Sequence, residues 1–338
     1  MKSNNKNNTK KIGGNKLMKG NFKKVILFIA LFVVVAGGIA GLVINYQNKQ
    51  YAFWKTNELR ITTEFNVIND AEKAATVLDQ ETKDEQEASA KVTKKVMSFK
   101  PGIAKFFKAK YDSDVSGKLD KLKKVYIFSS DKYKGQNLYG YIDNENDTIH
   151  LNKDILSSQL LLQSIFTHET MHYLGIRPAK NSKNEGEYFI EGMADALADD
   201  CMSYQKKKFH NSDYYAVAMN LCKQVNIVNP EIVKNAVTKD DYNIMSDFDV
   251  RLKNVKQSCR KISGISENLE NCVRTMNQDV SEMDVFFLAL QAQDIITSYL
   301  KTFNPEKEQI EKIRKFYVVE NYEDIVLKKA ANGEYYVA

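Results

Sequence analysis

The chain has 338 residues, 43% hydrophobic and 27% charged, and its net charge of +6 comes from 49 basic against 43 acidic residues. Eight of the lysines fall within residues 1–24, and without them the balance is −2, so the composition argues against nucleic-acid binding. Four histidines and one tryptophan, with no phosphate-cradling glycine loop and no internal repeat, give no sign of a haem, flavin or nucleotide site.

Residues 1–24 contain no acid and many asparagines, a composition that cannot bury a core, and are expected to form a disordered basic tail. Val25 to Ile44 is twenty residues without a charge, enough to cross about 30 Å of hydrocarbon and longer than a secretory h-region of about 7 to 15 residues. We read it as an uncleaved transmembrane helix; the alternative is a secreted product released by cleavage near Ala40. Positive charge stays on the cytoplasmic side, which places the N-terminus inside and residues 45–338 outside the cell membrane. Gly37-x-x-x-Gly41 offers a small-residue contact for a homodimer through that helix.

Residues 45–100 are rich in Glu, Lys, Ala, Thr and Gln and suit a helical stalk, or a helix packed on the next domain, ended by Pro101-Gly102. The remaining chain, 101–338, reads as an α+β domain: a small mixed or antiparallel sheet, two site helices, then a mainly helical C-terminal subdomain. Its strand-like runs are 125–128, 138–143 and 148–152. The last alternates Ile149 and Leu151 against Thr148, His150 and Asn152. At a sheet edge it would hold an extended peptide; in an ordinary hairpin it would hold none.

A helix is expected over 155–173, with Leu156, Leu160, Leu161, Ile165, Phe166 and Met171 as apolar positions and Gly175 as its C-terminal cap. It carries His168-Glu169-x-x-His172. At 3.6 residues per turn, imidazoles at i and i+4 share a face and can bind one Zn²⁺ at about 2.0–2.1 Å each. Glu169 is rotated by about 100°, outside the ligand set yet within reach of an attacking water as general base. A third ligand is needed if one position is to stay open. A histidine three residues after Gly175 would complete one known signature, but that position is Pro178.

The next candidate is Glu191, within Tyr188-Phe-Ile-Glu-Gly-Met-Ala-Asp195. Ser182-x-x-Glu185 suits a capping box before that segment, and Phe189, Ile190, Met193, Ala194 and Leu197 supply a helical stripe. Asp195 then shares a face with Glu191 and is placed to accept the second N–H of a metal-bound histidine. His210 and Asp195 are the alternatives for the third ligand.

His-Glu-x-x-His on one helix followed by Glu-Gly-Met-Ala-Asp on the next resembles the gluzincins, the thermolysin-like zinc metallopeptidases. The resemblance covers about residues 125–205 and implies one zinc held by His168, His172 and Glu191, with Glu169 as catalytic base and Asp195 orienting a ligand histidine. It implies hydrolysis of a peptide or protein substrate. Candidate donors to the transition state are Tyr188, His210, Tyr214 and Tyr215. A competing reading is a gluzincin-like surface domain that binds a partner or a cell-wall component without turnover; a third is a cytoplasmic enzyme.

Beyond residue 200, helices are expected around 213–225, 230–238, 246–262, 281–303 and 305–317, the last with Pro305 at its first position. Cys201, Cys222, Cys259 and Cys272 follow the motif pair. An even count on an oxidising side suggests two disulfides, Cys201–Cys222 and Cys259–Cys272 by sequence proximity, among three pairings.

Overall fold

The computed structural model describes residues 83–129, 138–143, 146–177, 186–209, 215–239, 242–253, 265–276, 278, 281–319, 327–329 and 335–337. The basic tail, the apolar run 25–44 and the first part of the expected stalk lie outside the described residues. Among the described residues no helix is long and apolar enough to cross a membrane.

The described chain is mostly helical around a small mixed sheet. Strands β1 (Val125–Phe128), β2 (Gly140–Asp143) and β3 (Thr148–Asn152) lie in the order β1-β3-β2, with β1 parallel and β2 antiparallel to β3. Helix α1 (Lys83–Met97) closes the β1 edge. Its Ser89 Oγ accepts from Ile127 N at 3.0 Å and its Thr93 Oγ1 accepts from Val125 N at 3.2 Å, so the strand's outward N–H groups are satisfied by side chains. Pro101 and Gly102 do not merely end this segment. They sit in the first turn of α2 (Lys100–Tyr111), where a proline's missing N–H costs nothing. A short α3 (Ser116–Lys121) follows.

β3 is the central strand, paired with β2 as a hairpin, so of the two alternatives the sheet-edge one is not met. Ile149 and Leu151 are fully buried on one face, and His150 and Asn152 are buried on the other. The His150 ring lies between Tyr126 (centroids 5.1 Å, 18°) and Tyr141 (4.5 Å, 7°), an aromatic ladder across all three strands. Alternation reports two faces but not how many neighbours a strand has.

Helix α4 (Gln159–Leu174) follows a 3₁₀ turn (Lys153–Ser157) and starts at Ser158, whose hydroxyl accepts from Leu161 N at 3.2 Å. Leu162, Phe166, Met171 and Leu174 are its core positions, whereas Leu160, expected inside, is 42% exposed. Helix α5 (Glu187–Tyr204) packs along α4, and α6 (Ala216–Val228) backs α5. Gly192 permits that approach: a Cβ there would lie 2.3 Å from the Ala218 Cβ. Next come α7 (Glu231–Thr238), α8 (Ile244–Leu252), α9 (Ile265–Met276), α10 (Glu282–Lys301) and α11 (Lys307–Arg314), then an antiparallel pair, β4 (Leu327–Lys329) and β5 (Tyr335–Val337).

α9 is not among the helices expected from the sequence, although Leu269, Cys272, Val273 and Met276 are buried at the i, i+3, i+4, i+7 spacing of one helix face. α11 begins at Glu306, which forms a capping box with Gln309. Pro305 therefore precedes the cap and does not occupy the first helical position. α6 and α10 are tied by a reciprocal amide pair, Gln224 Nε2 to Gln293 Oε1 at 3.0 Å and Gln293 Nε2 to Gln224 Oε1 at 2.7 Å, which satisfies two polar groups inside an apolar interface.

The Cys201–Cys222 disulfide is not formed. Cys222 Sγ donates to Phe189 O at 3.3 Å, while Cys201 Sγ accepts from Gln205 Nε2 at 3.3 Å. Burial pushes the Cys201 thiol up to about 12 and the Cys222 thiol well above its ordinary range. Cys272 is buried with its Sγ 3.7 Å from Gln291 Oε1, and Cys259 lies outside the described residues. Nearness in sequence does not set the direction of two side chains on different helices.

Phe166 is fully buried beneath the site and meets Phe99 edge-on at 6.1 Å and 61°. Phe166→Ala is expected to cost about 3–5 kcal/mol, read as a lower urea midpoint with an unchanged slope.

Candidate metal centre

Two of the three converging residues come from one helix because 3.6 residues per turn put His168 and His172 on the same face of α4. Their Nε2 atoms lie 3.0 Å apart. Glu191 arrives from α5, with Oε2 at 3.1 Å from His168 Nε2 and Oε1 at 3.3 Å from His172 Nε2. One ligand atom from each of the three residues lies within 4.8 Å of the others.

The other ring nitrogens decide what these atoms are. His168 Nδ1 is 2.7 Å from Asp195 Oδ1, and His172 Nδ1 is 2.5 Å from the Ile176 carbonyl. Both partners accept, so both Nδ1 atoms carry a proton, and the two Nε2 atoms face each other and the Glu191 carboxylate, where each can lend a lone pair to an ion or, without one, carry a second proton. Positive charge, from an ion or from protons, is needed to hold these groups at hydrogen-bond distance. A tetrahedral ion at about 2.0–2.1 Å from each nitrogen would need the two Nε2 atoms about 3.3 Å apart, close to the 3.0 Å observed. The donor set therefore fits a metal ion, and the pair of oriented histidines supplies the outer support such ligands use.

Electrostatics points the same way. Burial lowers the pKa of His168, but the carboxylates of Asp195 and Glu191 outweigh it and hold the group well above the ordinary imidazole range. Burial raises the pKa of Glu191, but the two imidazoles outweigh it and hold the carboxyl far below the usual range. Asp195 is raised, chiefly by burial. This is a site built to stabilise positive charge between the acids.

Glu169, at the next position along α4, is 5% exposed and is pushed up to about 7, first by burial and then by the neighbouring carboxylates. The β2 strand runs beside it. A Cβ on Gly140 would lie 3.0 Å from Glu169 Oε1 and 2.9 Å from Ile165 Cγ2, so glycine there gives the carboxylate its room. The Glu191 side chain is 25% exposed, the most accessible of the three converging residues.

Two caps fix the geometry. Gly175 ends α4 at φ 132°, and a Cβ there would stand 2.1 Å from the Ala236 carbonyl. The cap turns the chain so that Ile176 N donates to Met171 O at 3.0 Å and the Ile176 carbonyl returns to His172. At the start of α5, Gly186 takes φ 85° and its N–H donates to the Glu270 carboxylate of α9.

The structure thus brings together His168, Glu169, His172, Glu191 and Asp195. Tyr188 is buried and packs toward Tyr215 at 6.4 Å. His210, Tyr214 and the Ser182–Glu185 capping box lie outside the described residues. Sequence reasoning missed the Ile176 carbonyl, Gly140, and Glu187, which is raised to about 7 by burial and then by Glu191 and Glu270. Glu187 stands one turn before Glu191, the only signal that could have found it. Comparison with protein-family models, with curated proteins and with solved structures finds no match for this chain.

Asp195→Asn keeps size and shape but weakens the acceptor for His168 Nδ1. It is expected to lower metal affinity about 10–100-fold, measured by competition against a chromophoric chelator, while the unfolding midpoint moves little. Gly175→Ala should destabilise the fold by well over 1 kcal/mol, because strain at positive φ adds to the clash with Ala236; a thermal melt reads it.

Proposed function

We propose that this chain is a zinc metallopeptidase of the gluzincin kind, hydrolysing peptide bonds. The observation that supports it best is the convergence of His168, His172 and Glu191 within 4.8 Å, with the buried Glu169 carboxylate next to the first ligand. In this reading the two Nε2 atoms and the Glu191 carboxylate hold the ion, and Asp195 and the Ile176 carbonyl keep the imidazoles in the required tautomer and orientation. Zinc, when bound, supplies Lewis-acid chemistry that polarises a carbonyl and acidifies water toward a pKa of about 7. Glu169 takes the proton of the attacking water and hands it to the leaving amine.

Zinc is preferred over other ions for a reason in the residues. A two-histidine, one-carboxylate set also suits iron, but the carboxyl beside the ligands serves a hydrolytic water and has no evident part in oxygen chemistry. As part of the same proposal, the run 25–44 anchors the protein in the cell membrane and the catalytic unit faces outward.

The test uses the full chain. About one zinc per chain is expected, with peptide-library hydrolysis that stops on chelation and returns with zinc. Glu169→Gln should keep the metal and lose about 10²–10⁴-fold in turnover, and Glu191→Ala should lose most of the metal. Equal turnover in Glu169→Gln and the parent, or a parent without metal, sinks the proposal. Zinc retained with no hydrolysis by the parent would favour a binding domain instead.

A further inference from the structure

The Glu169 carboxylate rests against the start of β2. A Cβ on Gly140 would stand 3.0 Å from its Oε1 and 3.1 Å from its Cγ, so the bare strand backbone forms one wall of the space the carboxylate occupies. On the metallopeptidase reading, on which this rests, Glu169 is the base. We infer that Asn152, at the end of β3, is a positioning residue for that base, acting through the β2 backbone at Gly140.

Asn152 makes three hydrogen bonds, and they tie together the two pieces of chain that define this space. Its N–H donates to the Tyr139 carbonyl at 2.8 Å and its Nδ2 donates to the Leu138 carbonyl at 2.8 Å, fixing the two residues that lead into Gly140. Its Oδ1 accepts from Asp154 N at 2.9 Å, capping the 3₁₀ turn that runs through Ser158 into α4, the helix that carries Glu169. The residue is buried, 4% exposed. One side chain therefore holds both the strand that bounds the carboxylate and the turn that starts the carboxylate's own helix.

An amide suits this place because one end faces a carbonyl and the other an N–H, each a group with a single role, so a donor and an acceptor are needed within one short side chain. Gly140 and Leu151 are the last paired residues at this end of the β2–β3 ladder, and the ends of elements open most readily. Asn152 holds that end from just beyond the last pair. The place of the strand matters to the chemistry: a base works within about 2.6–3.2 Å of the proton it takes, and a misplacement of about 1 Å can cost on the order of 10²-fold in rate.

Asn152→Asp is nearly isosteric and isolates one contact. It keeps the acceptor for Asp154 N and the backbone bond to Tyr139, and sets an oxygen in place of the donor to the Leu138 carbonyl. In the full chain loaded with zinc, the variant is expected to retain the metal and an unchanged KM while kcat falls about tenfold or more. Gly140→Ala crowds the carboxylate directly and should give the same pattern. Because both act on one displacement, the loss in the double variant should fall short of the product of the two single losses; a loss equal to that product overturns the route through Gly140. If Gly140→Ala does not fold, Asn152→Asp decides alone. An unchanged kcat in Asn152→Asp, even with a lower urea midpoint, overturns the inference and leaves Asn152 a structural residue, and so does loss of its zinc. A parent without hydrolysis sinks the metallopeptidase reading and this inference with it, whereas an active parent matched by an equally active Asn152→Asp sinks this inference alone.

Discussion

The interaction on which the rest depends is the meeting of two imidazoles with one carboxylate inside a largely apolar helix pair. Placing these groups away from water costs several kcal/mol per charge unless each is answered. Three answers come from the chain, Asp195 one turn along α5, the Ile176 carbonyl just past the α4 cap and the Glu191 carboxylate itself, and the fourth is the positive charge the cluster can receive. Remove any one and the others are left as buried, unmatched groups. The helices on either side are themselves tied to the rest of the fold. α6 supports α5 through the Gly192 contact, α10 ties to α6 through paired glutamines, and Glu270 secures the first N–H of α5.

Three glycines set the spacing of the centre, each for a different reason. Gly175 supplies a backbone angle that side chains rarely adopt, and only through that turn does the Ile176 carbonyl reach His172. Gly192 removes a side chain so that two helix backbones can approach, and Gly140 removes one so that Glu169 has space. In all three cases the missing Cβ matters more than flexibility.

Much of the local structure was legible in the chain. The strand runs 125–128 and 148–152 appear with the expected bounds, and the third is shortened only to Gly140–Asp143. The histidine pair could be named because helical spacing puts both rings on one face, and that periodicity is local; Glu169, Glu191 and Asp195 were expected from their places in the two short motifs. What failed was information about neighbours. The place of β3 at the centre of the sheet depends on which strands pair with it. The unformed Cys201–Cys222 bond depends on the directions of side chains on two separate helices. Leu160, apolar yet exposed, shows that composition alone does not say which turn of a helix the core covers.

The sequence by itself determined the α4 and α5 helices and the chemistry of the residues on them, with the histidine pair sharing one face, because covalent spacing and the 3.6-residue turn need no long-range information. Only the tertiary structure decided that Glu191 reaches both imidazoles and that both Nδ1 protons are committed. Those facts are set by how close separate elements come, which packing fixes through small residues and excluded volume, and no periodicity along a single chain records it.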